Sequence, residues 1–399
     1  MRVGGMTVPL SGVRVVDLTR ILAGPFCSVL LADMGAEVIK IESPGQGDPV
    51  RQQGVIVNGL SWYFAQFNRN KKSITLDLHA EEGKAILARL IARADVLLEN
   101  YRPGVLDRMG FDEARLRELN PDLVLCGING YGSTGPYADR PSFDFIAQAM
   151  SGFMSVNGKD GEEPMRAAMP ISDLVAGLYG AFGVACALVA RRGGRARGQR
   201  VEASMVNGLV SLLAYLSANY LATGQLPPRT GNEHPIAAPY GLYAAADGEV
   251  AIAPSTDDVV RRLFRALGIE PMLDRPEFAG YTERLQHRDA VNALVGERIR
   301  EHTVEHWIER LNQAGVPCGR VADLRAVFDD PQVLAQEMLL EVDHPGHGTV
   351  QMSGFPVKLS ATPCRVRLPA PDLGADTEDV LRELGLENEI ARLREQRII

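Results

Sequence analysis

Residues 13–42, VRVVDLTRILAGPFCSVLLADMGAEVIKIE, decide the fold class of this chain. Two runs rich in β-branched residues, 13–18 and 37–42, flank a helical pattern at 25–34. Short strands that alternate with helices are typical of a parallel sheet covered by helices. The sequence therefore predicts an α/β fold with a Rossmann-like layer in its first third. The same alternation predicts further strands at 73–78, 95–100 and 123–128 and helices at 81–94 and 112–119.

Prolines and glycines indicate where this layer gives way to a second unit. The segment Gln225-Leu-Pro-Pro-Arg-Thr-Gly231 predicts a linker, because Pro and Gly break a continuing helix. A smaller α+β unit should follow, with a strand near 249–253 and helices near 257–267, 288–301 and 304–314, and residues 338–360 alternate like strands. We predict a large Rossmann-like domain at 1–224, a small α+β domain at 225–325, and a C-terminal segment at 326–399 that returns to the large domain.

The charge balance narrows the classes of partner. The 399 residues include 42 Lys and Arg against 50 Asp and Glu, a formal net charge of −8. That balance argues against a general nucleic-acid partner, so an anionic ligand would need a local basic pocket. The five cysteines are scattered and form no CxxC pair, which disfavours a disulfide framework or a cysteine zinc site. Because the first residues show no apolar signal core, the chain is expected to be cytoplasmic.

Two uncharged stretches, 174–190 and 203–228, raise the question of a membrane. A spanning helix needs about 20 apolar residues. The first stretch contains Gly177, Gly180 and Gly183, and the second is interrupted by asparagines and serines. We therefore expect both to form helices buried in a large core or a subunit interface, with no membrane partner.

One acid, Asp173, stands directly before the first uncharged stretch. A carboxylate at a helix start meets backbone N–H groups and the positive end of the helix dipole, so we expect it to stay ionised even without water. That position suits a carboxylate nucleophile. It equally suits an ordinary helix cap, and the residues alone leave both interpretations open.

Two motifs match known patterns only in part. Gly130-Tyr-Gly-Ser-Thr-Gly135 has the GxGxxG spacing of a dinucleotide site, but that fingerprint must open a helix and Pro136 follows here. We therefore predict a backbone loop that lines a pocket. His302-Thr-Val-Glu-His306 matches the HxxEH zinc pattern, yet it lies in a charged amphipathic segment without a clear third ligand. No metal site is predicted.

Basic residues follow or precede several predicted strands. Arg69, Lys71 and Lys72 lie just before the third strand, and Arg102 and Arg108 come after the fourth. Ligands bind at strand ends in such sheets, and arginine suits phosphate. Exposure on a solvated surface would explain these residues equally well.

Short motifs spread over nearly the whole chain point to one family. They are LSGVRVVDL at 10–18, AGP at 23–25, GAEVIKIE at 35–42, NRNKKS at 68–73, ENYRPG at 99–104, MG at 109–110, GYGSTGP at 130–136, SD at 172–173, GVPCG at 315–319 and LG at 373–374. With this set, the chain resembles the family III CoA-transferases. That group includes formyl-CoA transferase, carnitine CoA-transferase and the α-methylacyl-CoA racemases.

The resemblance implies a homodimer of two interlocked rings, with active sites between a large and a small domain. It implies acyl-CoA as a substrate, with no prosthetic group. Asp173 matches the family's nucleophile. By likeness to formyl-CoA transferase, the CoA pocket is expected to involve Arg20, Ile21, Leu76, Asn100, Tyr101, Arg108 and Met109.

The chemistry of such a transferase suits a carboxylate. Asp173 would form a mixed anhydride with the donor acyl group and then an aspartyl-CoA thioester, before an acceptor carboxylate takes the CoA. Gly132 in the glycine loop is a candidate to steady oxyanions, and Asp144 is a candidate to orient the site. The 229–240 segment looks like that of dicarboxylate enzymes that draw on succinyl-CoA, with His234 as a candidate acceptor contact.

Two alternatives belong to other classes of activity. The family's racemases move an α-proton with a histidine after the glycine loop, but Phe143 stands at that position here and cannot exchange a proton. A transferase is therefore favoured over a racemase. A non-catalytic acyl-CoA-binding protein of the same fold is the other alternative.

Overall fold

Runs of valine, isoleucine and leucine form a six-stranded parallel sheet in the computed structural model, which describes residues 8–399. That sheet and three smaller ones contain all the strands of the described residues. In chain order these strands are β1 (Arg14–Asp17), β2 (Glu37–Glu42), β3 (Ile56–Val57), β4 (Leu60–Ser61), β5 (Lys71–Thr75), β6 (Val96–Glu99), β7 (Val124–Asn129), β8 (Arg200–Ser204), β9 (Gly241–Ala244), β10 (Glu249–Ile252), β11 (Cys318–Arg320), β12 (Leu339–His344) and β13 (Gly348–Ser353).

Helices cover the sheet and build most of the remaining chain. The α-helices are α1 (Ala23–Asp33), α2 (Trp62–Asn68), α3 (Glu81–Ile91), α4 (Val105–Arg108), α5 (Glu113–Leu119), α6 (Asp144–Met150), α7 (Phe153–Val156), α8 (Ile171–Arg192), α9 (Met205–Leu212), α10 (Ala214–Thr223), α11 (Asp257–Ala266), α12 (Tyr281–Gln286), α13 (Arg288–Ile299), α14 (Val304–Gln313), α15 (Leu324–Phe328), α16 (Pro331–Ala335), α17 (Thr377–Glu383) and α18 (Ile390–Glu395). Short 3₁₀ helices lie at Pro49–Gln52, Glu270–Asp274, Pro276–Phe278 and Glu387–Glu389.

The chain divides into two compact units. The first holds the residues up to Phe153, Ala167–Leu213 and Pro331–Ile399, and the second holds Met154–Arg166 and Ala214–Asp330. The six-stranded sheet, with the order β5-β2-β1-β6-β7-β8, belongs to the first unit. The three-stranded antiparallel sheet β11-β10-β9 belongs to the second, where it packs with helices around a separate apolar cluster.

The parallel sheet confirms the predicted α/β class. All its strand pairs are parallel, and Val15 of β1 pairs with Val38 of β2 on one side and Val96 of β6 on the other. Successive residues point to opposite faces, so Val15 joins one core cluster and Val16 the other. Burial on both faces explains why these strands are nearly continuous apolar runs.

The edge strand β8 was missed by the sequence prediction. Its sequence, Arg-Val-Glu-Ala-Ser, places charged side chains between apolar ones, as an edge strand with one exposed face does. The predicted uncharged helix at 203–228 is accordingly wrong in its bounds. Residues 203–204 belong to β8, and α9 ends at Leu212 before Ala214, whose φ of 48° lies in the left-handed region.

The long helix α8 lies against α1 and the strands β7 and β8. Gly177 makes this close approach possible, because a Cβ there would meet the Ala23 carbonyl oxygen at 2.6 Å. By length and composition alone, α8 would suffice to cross a membrane. Its packing fixes the position of its first turn, which carries Asp173.

Candidate active site

A cavity of about 580 Å³ opens beside the carboxyl ends of β1, β2, β5 and β6. Strand β1 pairs with β2 on one side and with the later strand β6 on the other. The cavity therefore lies at a topological switch point, where the order of the strands in the sheet reverses. Open parallel sheets bind ligands at such points. Arg20 and Arg102 line the cavity and are exposed, so cationic groups are available to a phosphate-bearing ligand.

Four of the seven predicted CoA-binding residues line this cavity, namely Arg20, Leu76, Tyr101 and Met109. The other three are not among the residues that line it. Ile21 packs against the cluster around Val50, Leu60 and Phe64, and Arg108 is exposed at the end of α4. The Asn100 side chain bonds to the backbone of Arg20, accepting from its N–H at 3.0 Å and donating to its carbonyl at 2.8 Å.

Asp173 is the third residue of α8 and is partly buried. The helix begins after Pro170 without a side-chain cap, so the capping interpretation of Asp173 is not supported. Burial, and next the nearby charge of Asp144, raise the pKa of Asp173 to about 7. The pKa of Asp173 is therefore higher than the expected effect of a helix start alone, because desolvation raises it.

Asp144, not Asp173, anchors the start of α8. Its Oδ1 accepts hydrogen bonds from the Ser172 N–H at 3.0 Å and the Ser172 Oγ at 2.8 Å. Its Oδ2 accepts from Gln148 Nε2 at 2.7 Å, and the Gln148 Oε1 accepts from the Ala167 N–H at 2.8 Å. This buried carboxylate therefore sets the position of the residue next to Asp173 and keeps a negative charge near it.

Tyr63 on α2 was not singled out by the sequence analysis. Burial, then the charges of Asp173 and Asp48, raise the pKa of its hydroxyl to about 12. Its phenol therefore stays protonated and keeps a proton that it can donate in a hydrogen bond. A tyrosine in an aromatic run gives no sequence signal of such a role, because core tyrosines look the same.

The glycine loop does not offer free N–H groups at its centre. Gly132, with φ of 100°, donates its N–H to Asn129 Oδ1 at 2.6 Å, and the Ser133 N–H donates to Glu202 Oε1 at 2.9 Å. Gly132 is therefore not available to steady an oxyanion through its N–H in this structure. The next helix after the loop is α6, which begins only at Asp144, so the loop lacks the geometry of a dinucleotide fingerprint.

His234 belongs to the second unit, whereas Asp173 belongs to the first. Its ring lies between Tyr215 and Tyr240, with centroid separations of 5.8 and 4.7 Å. The Ile236 N–H donates to Nδ1 at 3.3 Å, which assigns the ring proton to Nε2. Burial, and next Arg288, lower the pKa of His234, so the ring is a neutral hydrogen-bond donor at Nε2.

The HxxEH motif does not form a metal centre. The rings of His302 and His306 stack with centroids 4.0 Å apart, and Glu305 pairs instead with Arg320. Over residues 8–399, no group of three His, Cys, Asp or Glu side chains is placed to hold a metal ion.

The first unit contains both a cavity with exposed arginines at the switch point of a parallel sheet and a partly buried aspartate in the first turn of a helix. This combination is typical of an α/β enzyme. Residues 10–377 match CoA-transferase family III, and the chain belongs to that family. It is 37% identical to the succinyl-CoA–D-citramalate CoA-transferase of Chloroflexus aurantiacus, over 98% of each chain. It is 38% identical to the acetyl-CoA:oxalate CoA-transferase of Acetobacter aceti, over 88% of this chain and 89% of the relative.

A solved structure shares the fold. A CaiB/BaiF family protein from Brucella suis superposes with a TM-score of 0.83 at 37% sequence identity, covering 94% of this chain and 99% of that one. The predicted family is confirmed by these matches, and the enzyme class follows from it.

Proposed function

We propose that this protein moves CoA from an acyl-CoA donor, succinyl-CoA, to a free dicarboxylate, with Asp173 as the nucleophile. The observation that carries the proposal is the placement of Asp173: partly buried, on the first turn of α8, beside the anchored residue Ser172. A carboxylate whose pKa is raised to about 7 is more basic, and hence more nucleophilic, than an exposed one. Both named relatives act on dicarboxylates, which supports the acceptor class.

The reaction balances in four steps. Asp173 attacks the donor thioester carbon, the C–S bond breaks, and a mixed anhydride and a CoA thiolate form. The thiolate then attacks the aspartyl carbonyl, releasing the donor carboxylate and leaving an aspartyl-CoA thioester. The acceptor carboxylate attacks that thioester and releases the thiolate again, which finally captures the acceptor acyl group and restores Asp173. Covalent catalysis of this kind requires that water be kept from the anhydride.

The remaining residues of the proposed site would bind the two substrates. The cavity lined by Arg20, Leu76, Tyr101 and Met109 would hold CoA. Arg20 and Arg102 would bind its phosphates. His234 remains the predicted acceptor contact, and its Nε2 lies 3.5 Å from the Tyr215 hydroxyl. Neither role requires a prosthetic group.

A homodimer is proposed from the exposed side of α8. Leu178, Phe182 and Val189 on this helix are 54%, 66% and 63% exposed, more apolar surface than a monomeric helix normally presents. A second copy of the chain would cover it, as the family resemblance implies. Light scattering on the purified protein should give twice the mass of the chain, and a monomer at micromolar concentration would contradict this.

The function is tested by mass spectrometry in heavy water. The purified protein is given succinyl-CoA, acetyl-CoA or a 2-methylacyl-CoA together with a panel of free mono- and dicarboxylates. We expect new acyl-CoA species without α-deuterium, formed fastest from succinyl-CoA and a dicarboxylate. Deuterium at the α-carbon without acyl exchange would identify a racemase, and binding without either product would identify a binding protein.

The charge of Asp144 is expected to influence how the rate of the reaction depends on pH. In the variant Asp144→Asn the negative charge beside Asp173 is lost, so the pKa of Asp173 should fall, although burial keeps it above that of an exposed aspartate. The acid limb of the kcat/KM profile should therefore move to lower pH. The loss of the Gln148 hydrogen bond should also cost about 1–3 kcal/mol of stability.

Ser172→Ala is the matched control for this prediction. It removes the 2.8 Å bond to Asp144 but keeps the charge, so its acid limb should not move to lower pH. An unchanged acid limb in Asp144→Asn would show that the Asp144 charge does not act on Asp173.

A further inference from the structure

The loop at the mouth of the cavity contains a strained residue. Ile21 has a φ of 70°, in the left-handed region, although it is β-branched. For such a residue this conformation is strained, and it persists only where surrounding contacts impose it. Its neighbours Thr19 and Arg20 line the cavity, so the contacts that hold Ile21 also shape the cavity wall.

One side of the loop is held by a buried ion pair. Asp48 Oδ1 accepts from the Ile21 N–H at 3.2 Å, and Asp48 Oδ2 accepts from Lys40 Nζ at 2.9 Å. The same Lys40 Nζ donates to the Thr19 carbonyl at 2.7 Å. Both side chains are almost fully buried, with exposures of 0% for Lys40 and 1% for Asp48. The pair therefore bonds to the backbone on either side of Arg20.

The other contacts of the loop come from the side chains of Asn100 and Asp17. Asn100 bonds to both the N–H and the carbonyl of Arg20, and Asp17 accepts from the Thr19 N–H at 2.9 Å. Each backbone unit from Thr19 to Ile21 thus has a side-chain partner from β1, β2 or the segments that follow β2 and β6. These side-chain bonds to the loop come in addition to the backbone pairing of β1 with β2 and β6.

We propose that Asp48, with Lys40 as its buried counter-charge, is a positioning residue that fixes the Arg20–Ile21 peptide in the conformation that receives acyl-CoA. The inference rests on the proposed function, because it takes the cavity to be the CoA site. Both residues also belong to the cavity lining, but their side chains are almost fully buried and neither enters the covalent steps. Their effect is to set the loop before the ligand arrives, so that binding does not have to order it.

The test uses a variant in which both charges are removed together. Lys40→Met/Asp48→Leu replaces the pair with apolar residues of similar size, which often leaves a fold intact where removal of one charge would not. We expect the KM for the acyl-CoA donor to rise about tenfold or more, with kcat changed much less. Asn100→Ala, which leaves the ion pair intact, should change KM in the same direction.

A local probe separates positioning from general stability. Arg20 is exposed, so trypsin can cut the Arg20–Ile21 bond once the loop opens. We expect faster cutting at this bond in both variants, and slower cutting when acyl-CoA is added. The control Lys72→Met/Glu37→Leu removes a partly exposed pair of the same sheet, 2.7 Å apart and away from the loop, and should change neither readout.

Three results bear on the proposal. A raised KM together with selective cutting after Arg20 would support it. Folded variants with the wild-type KM and no extra cutting after Arg20 would overturn the positioning role while leaving the proposed function intact. Wild-type protein that neither binds nor converts any acyl-CoA would overturn both.

Discussion

Asp173→Asn should abolish turnover. Its amide cannot attack a thioester to give an anhydride, so neither covalent intermediate can form. We expect kcat to fall on the order of 10³-fold or more, as for other enzymes that lose their nucleophile. Intact-mass spectrometry provides the direct measurement: wild-type protein mixed with acyl-CoA should carry a covalent adduct that hydroxylamine removes, and the variant should carry none.

Asp274→Asn makes the same chemical change at an exposed position of the second unit and should keep full activity. Peptide mapping after hydroxylamine treatment should place the modification on Asp173. Near-normal turnover in Asp173→Asn, or an adduct mapped to another residue, would refute the nucleophile assignment and leave the binding-protein alternative or another nucleophile.

The sheet could be predicted because its signal is local. The run Val-Ile-Lys-Ile gives β2 its bounds of Glu37–Glu42, and the absence of charge from 174 to 190 marks α8. β8 was missed because Arg200 and Glu202 make an edge strand look polar. A period of two with one charged face is a weak signal in five residues.

The contacts that shape the site could not be found in this way. Asp144 anchors Ser172 across 28 residues of sequence, and Asp48 reaches Ile21 across 27. The left-handed φ of Ile21 has no sequence signature, since isoleucine rarely adopts it. Tertiary contacts decide these features. The raised pKa of Asp173 has the same origin, because a helix start is visible in sequence and its burial is not.

The raised pKa of Asp173 also predicts that the protein is more stable without this carboxylate. Asp173 has a pKa of about 7 in the folded protein against an ordinary value of 3.8, so the folded state binds more protons between these pH values than the unfolded state does. Stability is therefore lost as the pH rises from about 4 through 7. Asp173→Asn, which stays neutral, should escape this loss and be more stable than wild type on the order of 2 kcal/mol at pH 8, a figure reduced for the partial exposure of the side chain.

Urea unfolding of both proteins from pH 5 to pH 8 measures this difference. The gain should be largest at pH 8 and shrink steadily toward pH 5, where much of the folded wild type is already protonated. Asp274→Asn, at an exposed position, is measured alongside as the matched control. A gain that is the same at every pH would mean that charge burial is not the cause. A variant that is both inactive and more stable at pH 8 would show that the fold tolerates a destabilising carboxylate for its reactivity.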